Sequence, residues 1–165
     1  MTDESQVRSV AFPSPSTVVS ASRDYTVRLW SLQSSDPPSY DSTIKTHGKE
    51  FVNSLAIVPA SSAFPDGLIV SGGKDQIIDV RQPSKALGDD ADALLLGHGA
   101  NICALDASQD GKLIISGSWD TDARVWQVGK WGDSTVLEGH TASVWAVLAY
   151  DAANIITGIF ISLSL

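Results

Sequence analysis

A turn motif recurs three times along the chain, and this recurrence limits the fold more than any other feature. Ser20-Ala21-Ser22-Arg23-Asp24 leads into Val27-Arg28-Leu29-Trp30. Ser71-Gly72-Gly73-Lys74-Asp75 leads into Ile77-Ile78-Asp79-Val80, and Ser116-Gly117-Ser118-Trp119-Asp120 into Ala123-Arg124-Val125-Trp126. The aspartates lie 51 (75 − 24) and 45 (120 − 75) residues apart. A second mark precedes the later copies as Thr46-His47, Gly97-His98 and Gly139-His140. Self-similarity at such a period means stacked units, each burying its faces against its neighbours.

Within each unit the pattern is that of short antiparallel strands. Val52-Asn53-Ser54-Leu55-Ala56-Ile57 and Val144-Trp145-Ala146-Val147-Leu148 follow the histidines. Turns at Pro65-Asp66-Gly67 and Gln109-Asp110-Gly111 lead to the apolar runs Leu68-Ile69-Val70 and Leu113-Ile114-Ile115. Short alternating runs bounded by Gly, Asp and Ser read as strands, and no sustained helical period competes with them. Candidate edge strands lie near Tyr40–Ile44, Ala93–Leu96 and Ser134–Leu137. The stretches Ser34–Ser39, Ser84–Asp92 and Lys130–Asp133 read as loops, with Asp89, Asp90 and Asp92 forming a solvated acidic segment. The expected fold is all-β. Gly-His and Trp-Asp-type marks at this period are the signature of a WD-repeat β-propeller with four strands per blade.

Copies near 7–45, 46–96, 97–138 and 139–158 place an incomplete propeller at residues 1–158, about three and a half four-stranded blades. After Gly158 the expected Asp turn and Trp strand give way to an aberrant apolar tail, residues 159–165, Ile159-Phe160-Ile161-Ser162-Leu163-Ser164-Leu165. Three readings of it are open: a truncated or misread gene product, a strand borrowed to finish the fourth blade, or a membrane-interaction segment far too short to span. The first is preferred. The tail is also aggregation-prone in composition.

The recurring polar residues have a physical role to play. Asp in a tight turn accepts backbone N–H groups, and buried His, Ser and Trp share donors and acceptors that must be paired. His98, Ser116, Asp120 and Trp126 fit one structural network completely. In the second copy Arg81 stands where the third has Trp126, so its network is expected to be incomplete. A Ser, a His and an Asp suggest a catalytic triad, but recurrence at repeat spacing speaks for a device of the fold. Trp30 and Trp126 end core strands and are expected to be buried, while Trp131 falls in a loop.

Composition removes whole classes of function. With 11 Lys and Arg against 19 Asp and Glu, the net charge is −8 and there is no basic run, which argues against nucleic-acid binding. The one cysteine, Cys103, permits no internal disulfide framework or cysteine zinc cluster, and no base sits where it would activate a nucleophile. The first residues form no secretion signal, and no apolar run reaches the roughly 20 residues of a membrane-spanning helix. Neither catalysis nor a cofactor or metal is expected, for want of a phosphate loop, a His-x-x-x-His pair or paired carboxylates.

Longer segments resemble one family. Ser116-Gly117-Ser118-Trp119-Asp120-Thr121-Asp122-Ala123-Arg124-Val125-Trp126 and Gly139-His140-Thr141-Ala142-Ser143-Val144-Trp145-Ala146-Val147 look like the propeller of the phospholipase A(2)-activating protein family. So do Phe51-Val52-Asn53, Pro65-Asp66-Gly67-Leu68-Ile69 and Ser71-Gly72-Gly73, and the first copy with Val7-Arg8, Ser22-Arg23-Asp24 and Arg28-Leu29-Trp30. The similarity covers roughly residues 7–158. It implies a non-catalytic, ubiquitin-binding adaptor in ubiquitin homeostasis and ubiquitin-dependent protein catabolism, in cytoplasm and nucleus. Family members carry a seven-bladed propeller, a second ubiquitin-binding domain and a helical-repeat domain that docks the valosin-type AAA ATPase. Those later parts lie outside these residues, so ATPase docking is not assigned to them. The alternative is a generic WD-repeat scaffold of another complex, or a non-functional truncated product. A ubiquitin titration against the rim separates these readings.

Fold position picks out the side chains of one rim. They flank the opening Val or Ile of each first strand, or precede the turn Asp: Gln6, Arg8 and Arg23; Phe51, Asn53 and Lys74; Asn101, Cys103 and Trp119; Ser143 and Trp145. Exposed aromatics with cations nearby are the make-up of interface hot spots. Phe51, Trp119 and Trp145, edged by Arg8, Arg23 and Lys74, form the expected partner-binding patch. The competing expectation packs Trp119 and Trp145 against neighbouring blades.

Overall fold

Alternation of apolar and polar residues becomes fourteen strands among the residues described by a computed structural model, 6–33, 40–44, 47–85, 90–150 and 154–159. Blade 1 holds β1 (Val7–Ser14), β2 (Thr17–Ser22), β3 (Val27–Ser31) and β4 (Tyr40–Ile44). Blade 2 holds β5 (Val52–Val58), β6 (Leu68–Gly73), β7 (Ile78–Arg81) and β8 (Ala93–Leu95). Blade 3 holds β9 (Ile102–Ala107), β10 (Leu113–Ser118), β11 (Ala123–Gln127) and β12 (Lys130–Leu137), and blade 4 the pair β13 (Val144–Ala149) and β14 (Ile155–Ile159). Each blade is antiparallel, with strands adjacent in chain order. The first strands β1, β5, β9 and β13 pack side by side, as the inner strands of a propeller do. The fold is thus a partial WD-repeat propeller of three and a half blades.

Turn chemistry sets the blade ends. Gly67 and Gly111, each at φ +69°, follow the turn aspartates Asp66 and Asp110, and a Cβ on Gly67 would meet the Val58 carbonyl oxygen at 2.5 Å. At the opposite end, Asp24, Asp75 and Asp120 each accept the backbone N–H two residues on, at 3.1, 3.2 and 3.1 Å. This leaves Tyr25, Gln76 and Thr121 at φ of 70°, 70° and 75°. The side-chain acceptor is what holds a non-glycine residue in that region.

Between blades, one face of each sheet packs on the next. Val19, Ala21 and Val27 of blade 1 meet Val52, Leu55 and Ile69 of blade 2. Val58, Leu68, Val70, Ile78, Val80 and Leu95 of blade 2 meet Ile102, Leu105, Ile114 and Trp126 of blade 3. Full burial of one such side chain contributes about 1.5–3 kcal/mol. In blades 3 and 4 the opening residue of the inner strand is the knob and a glycine of the preceding blade the hole. Ile102 sits on Gly72, where a Cβ would lie 2.7 Å from it, and Val144 sits on Gly117 at 2.8 Å.

Several details depart from the sequence reading. Lys130–Asp133 belong to β12 rather than to a loop, and the β11–β12 connection turns at Gly129 (φ +83°). The register jumps from Trp126↔Ser134 to Gln127↔Lys130, so Trp131–Asp133 form a three-residue bulge whose Gly-Asp pair imitates a turn in the sequence. Trp131 is half-buried against Phe64, with ring centroids 6.1 Å apart. Ser84 and Lys85 lie in a single 3-10 turn, Pro83–Lys85. Asp92 is not merely solvated, because it accepts the Gln82 backbone N–H at 2.7 Å and its side-chain amide at 2.9 Å.

Trp30 is half-buried rather than buried. Its face of blade 1, with Val7, Val10, Val18, Ser20 and Leu32, lines an open apolar groove formed by blade 1 alone. Ile159, placed at the start of the tail, is the last residue of β14 and pairs with Val144. The rest of the tail, 160–165, lies outside the described residues, as do Thr46, the loop 34–39 and Asp89.

Candidate functional site

Two clusters of polar and aromatic side chains compete for a functional role. The first is the Ser–His–Asp set of blade 3. His98 bonds Asp120 through Nδ1 at 2.7 Å and Ser116 through Nε2 at 2.7 Å, and Trp126 Nε1–H donates to Ser116 Oγ at 2.9 Å. The distances are those of a triad, but the accessibility is not. Ser116 exposes 0 % of its surface and its hydroxyl is capped by the indole, so no substrate atom reaches the oxygen. Burial lowers the His98 pKa below its ordinary 6.5, against the opposing bond and charge of Asp120. Burial pushes Asp120 upward, yet the Gly99 N–H, His98 and the Asp122 N–H together bring it below the usual 3.8.

The same device recurs with local changes. In blade 2, His47 bonds Asp75 at 2.8 Å and Ser71 at 3.0 Å. Only the indole contact is missing there, because Arg81 replaces the tryptophan and pairs with Asp79 at 2.8 Å. Register explains the exchange. Asp79 faces Ser71 and Arg81 faces Ile69, where blade 3 has Arg124 facing Ser116 and Trp126 facing Ile114. A buried cation is tolerated because the neighbouring position turns from Arg to Asp. In blade 4, His140 Nε2 bonds Thr157 Oγ1 at 2.6 Å, and in blade 1 Trp30 Nε1 donates to Ser20 Oγ at 2.8 Å.

The second cluster is the rim. Each inner strand carries a register break one residue after it opens, between Val7 and Ser9, Val52 and Ser54, Ile102 and Ala104, and Val144 and Ala146. The skipped residues are Arg8, Asn53, Cys103 and Trp145. A bulge re-aims its side chain out of the pleat, and two of these reach the next blade. Asn53 Nδ2 donates to Asn101 Oδ1 at 2.7 Å and to the Ile102 carbonyl at 3.4 Å, while Cys103 Sγ donates to the Val144 carbonyl at 2.9 Å. Burial raises the Cys103 pKa to about 11, so the thiol is a spacer in this ring and a poor nucleophile. The turns are tied to the same end, with Arg23 N–H on Gln6 O at 3.0 Å, Lys74 N–H on Phe51 O at 2.9 Å and Trp119 N–H on Asn101 O at 3.0 Å.

The expected patch residues fall into two groups at this end. Trp119 and Trp145 meet across blades 3 and 4 with ring centroids 5.7 Å apart and 55° between planes. They remain 48 % and 47 % exposed, so packing on the neighbouring blade and display to solvent coexist. Phe51 stacks on Tyr25 at 5.8 Å and 11°, with the Arg23 guanidinium 5.3 Å and the Lys74 ammonium 5.6 Å from the Phe51 ring centre. Lys74 also pairs with Glu50 at 3.0 Å. Arg8 is exposed and makes no ion pair or ring contact among the described residues. Half-buried Ser143 opens blade 4 beside Trp145. Tyr25 escaped the sequence reading, although an aromatic just after the turn Asp, where the other copies carry Gln76 and Thr121, was the available signal.

Comparison with known proteins adds independent findings. The model of the WD domain, G-beta repeat, matches residues 2–31 and 93–127. The chain is similar to Phospholipase A-2-activating protein of Xenopus laevis, 39% identical over 131 residues, which are 78% of this chain and 15% of that one. It is also similar to Ubiquitin homeostasis protein lub1 of Schizosaccharomyces pombe, 37% identical over 131 residues, 75% of this chain and 16% of that one. The crystal structure of the WD40 beta propeller domain of Doa1 superposes with a TM-score of 0.76 at 33% identity, covering 93% of this chain and 48% of that one. The chain thus spans about a sixth of the length of these relatives and about half of the solved propeller.

Proposed function

Because this chain belongs to the phospholipase A-2-activating protein family of WD-repeat proteins, we propose that its rim is a ubiquitin-binding surface of an adaptor in ubiquitin-dependent protein catabolism. The observation that carries the reading is the Trp119–Trp145 pair, two half-exposed indoles tilted against each other across two blades. Indoles presented on a rigid rim are what protein interfaces use as anchors, and they lose little side-chain entropy on binding. Phe51 extends the apolar surface, and Arg8, Arg23 and Lys74 border it. The role is that of an interaction module. Its setting is the cytoplasm and nucleus, and its link to a valosin-type AAA ATPase runs through domains outside these 165 residues.

The test is a ubiquitin titration of the wild-type chain and of a Trp119→Ala/Trp145→Ala variant, followed by the chemical shifts of labelled ubiquitin. Truncating one hot-spot aromatic costs about 2 kcal/mol or more of binding, so the double variant loses at least about thirtyfold. Both rings keep about half their surface in water, so the urea midpoint should move little. A wild-type chain that leaves the ubiquitin spectrum unchanged refutes the proposal, and so does a variant that binds as well as wild type.

A further inference from the structure

The rim is chemically divided, and the half over blades 1 and 2 has properties the indole pair does not share. Four cations gather there among the described residues: Arg8 in the bulge of β1, Arg23 and Lys74 in the β2–β3 and β6–β7 turns, and Lys49 just before β5. All four are exposed. The carboxylates of the same end are engaged elsewhere. Asp24 pairs with Arg28 at 2.9 Å, Asp75 bonds His47, and among the described residues Glu50 is the carboxylate paired with one of these cations. Among the described residues the tops of blades 3 and 4 offer Trp119, Trp145, Asn101 and Ser143, with no Lys or Arg. In a chain of net charge −8 this is a local inversion of sign, and surrounding negative potential confines its reach to a few ångströms beyond the patch.

We infer that the Arg23–Phe51–Tyr25–Lys74 cluster is a docking site for an acidic polypeptide segment that alternates carboxylates with aliphatic side chains. Cations held over an aromatic face are positioned before the ligand arrives and have shed part of their hydration. The Tyr25–Phe51 stack gives the aliphatic side chains a flat apolar seat. Glu50 on Lys74 shows within the molecule how a ligand carboxylate would sit. The same electrostatics disfavour an extended polyanion, whose further charges would run over the acidic remainder of the surface. The inference stands on residues other than the indole pair and does not depend on ubiquitin binding.

The experiment uses the whole chain and a fluorescein-labelled peptide of about twelve residues with alternating Glu and Leu, read by fluorescence anisotropy. A Glu-to-Lys peptide of the same spacing and heparin serve as comparisons. Wild type should bind the acidic peptide at low salt, and affinity should fall several-fold between about 50 and 200 mM salt. Arg23→Glu/Lys74→Glu should weaken binding at least about tenfold, Arg23→Gln/Lys74→Gln by an intermediate factor, and Trp119→Ala/Trp145→Ala by less than about twofold. The Gln pair removes both charges without introducing opposite ones, and circular dichroism checks the fold of each variant. Four results overturn the inference: no binding by wild type, equal binding of the Lys peptide, equal loss in the tryptophan variant, or heparin binding more tightly at the same residues. Failure of ubiquitin to bind leaves this test intact, because its readout is peptide binding alone and its deciding variants are at Arg23 and Lys74 rather than at the indole pair.

Discussion

Ser116→Ala is the sharpest probe of the network that repeats through the blades. Ser116 Oγ joins two buried bonds, from Trp126 Nε1 at 2.9 Å and to His98 Nε2 at 2.7 Å. Alanine removes a single oxygen, so the cavity left behind is small. The loss lies in the partners. Trp126 and His98 are too deeply buried for water to replace the hydroxyl, and each orphaned polar group costs about 1–3 kcal/mol. With two groups orphaned, the variant should therefore lose about 2–6 kcal/mol. Two sister substitutions calibrate the figure. Ser71→Ala orphans only His47, bonded at 3.0 Å, because Arg81 stands in for the tryptophan, so about half the loss is expected. Ser20→Ala removes the 2.8 Å acceptor of Trp30 Nε1–H, whose half-exposed ring can find water, so less than about 1 kcal/mol is expected. Urea titrations followed by tryptophan fluorescence and circular dichroism give the three values, with unchanged slopes as the condition for comparing them. The predicted order of loss is Ser116, then Ser71, then Ser20. A Ser71 variant as damaged as the Ser116 variant would refute the reasoning from orphaned partners.

Three further outcomes are expected. Asp79→Ala takes the carboxylate away from the buried Arg81 guanidinium, bonded at 2.8 Å, and should cost about 3–5 kcal/mol, whereas Asp79→Arg combined with Arg81→Trp rebuilds the arrangement of blade 3 and should recover most of the urea midpoint. The lowered His98 pKa means that the unfolded chain takes up the proton first as pH drops below 6.5. Stability is then level above that value and declines as acid is added, with a further decline below 3.8 as Asp120 protonates, and a His98→Gln variant should show a shallower slope below 6.5 in the same titrations. With its pKa raised to about 11, Cys103 should alkylate slowly in the native chain at neutral pH and rapidly in urea, as mass spectrometry would show; fast native labelling would contradict its burial.

Much of this architecture was legible because the repeat writes its turns in chemistry. An Asp that must cap a turn and a His that must meet a buried hydroxyl recur wherever the geometry recurs, so the blades and their strands could be read from Asp24, Asp75, Asp120, His47, His98 and His140. Misreadings arose where two structures share one local signature. Gly132-Asp133 marks a turn in most contexts, and here it marks a bulge inside β12. Trp30 and Trp126 have the same sequence surroundings, but the second is covered by blade 2 and the first lies on the open face of blade 1. The Asp79–Arg81 pair was readable in principle, since both members depart together from the Arg-x-Trp pattern of Arg28, Trp30, Arg124 and Trp126. The rim was located by fold position alone. Its bulges have no residue signature, because Arg8, Asn53, Cys103 and Trp145 have nothing chemical in common.

That lack of resemblance has a consequence for how such a surface changes over time. The skipped residue of each inner strand is specified by backbone pairing on either side of it, through Val52↔Gly73 and Ser54↔Gly72 in blade 2 and the matching pairs in the others. Its side chain is not drawn into the pleat and carries none of the ladder. A cation, an amide, a thiol and an indole occupy four equivalent handles without altering the strands that hold them. New specificity can therefore be written at exposed positions such as Arg8 and Trp145 while Asn53 and Cys103 keep their bonds to the next blade, and the inter-blade core does not have to be repacked for the rim to acquire a different partner.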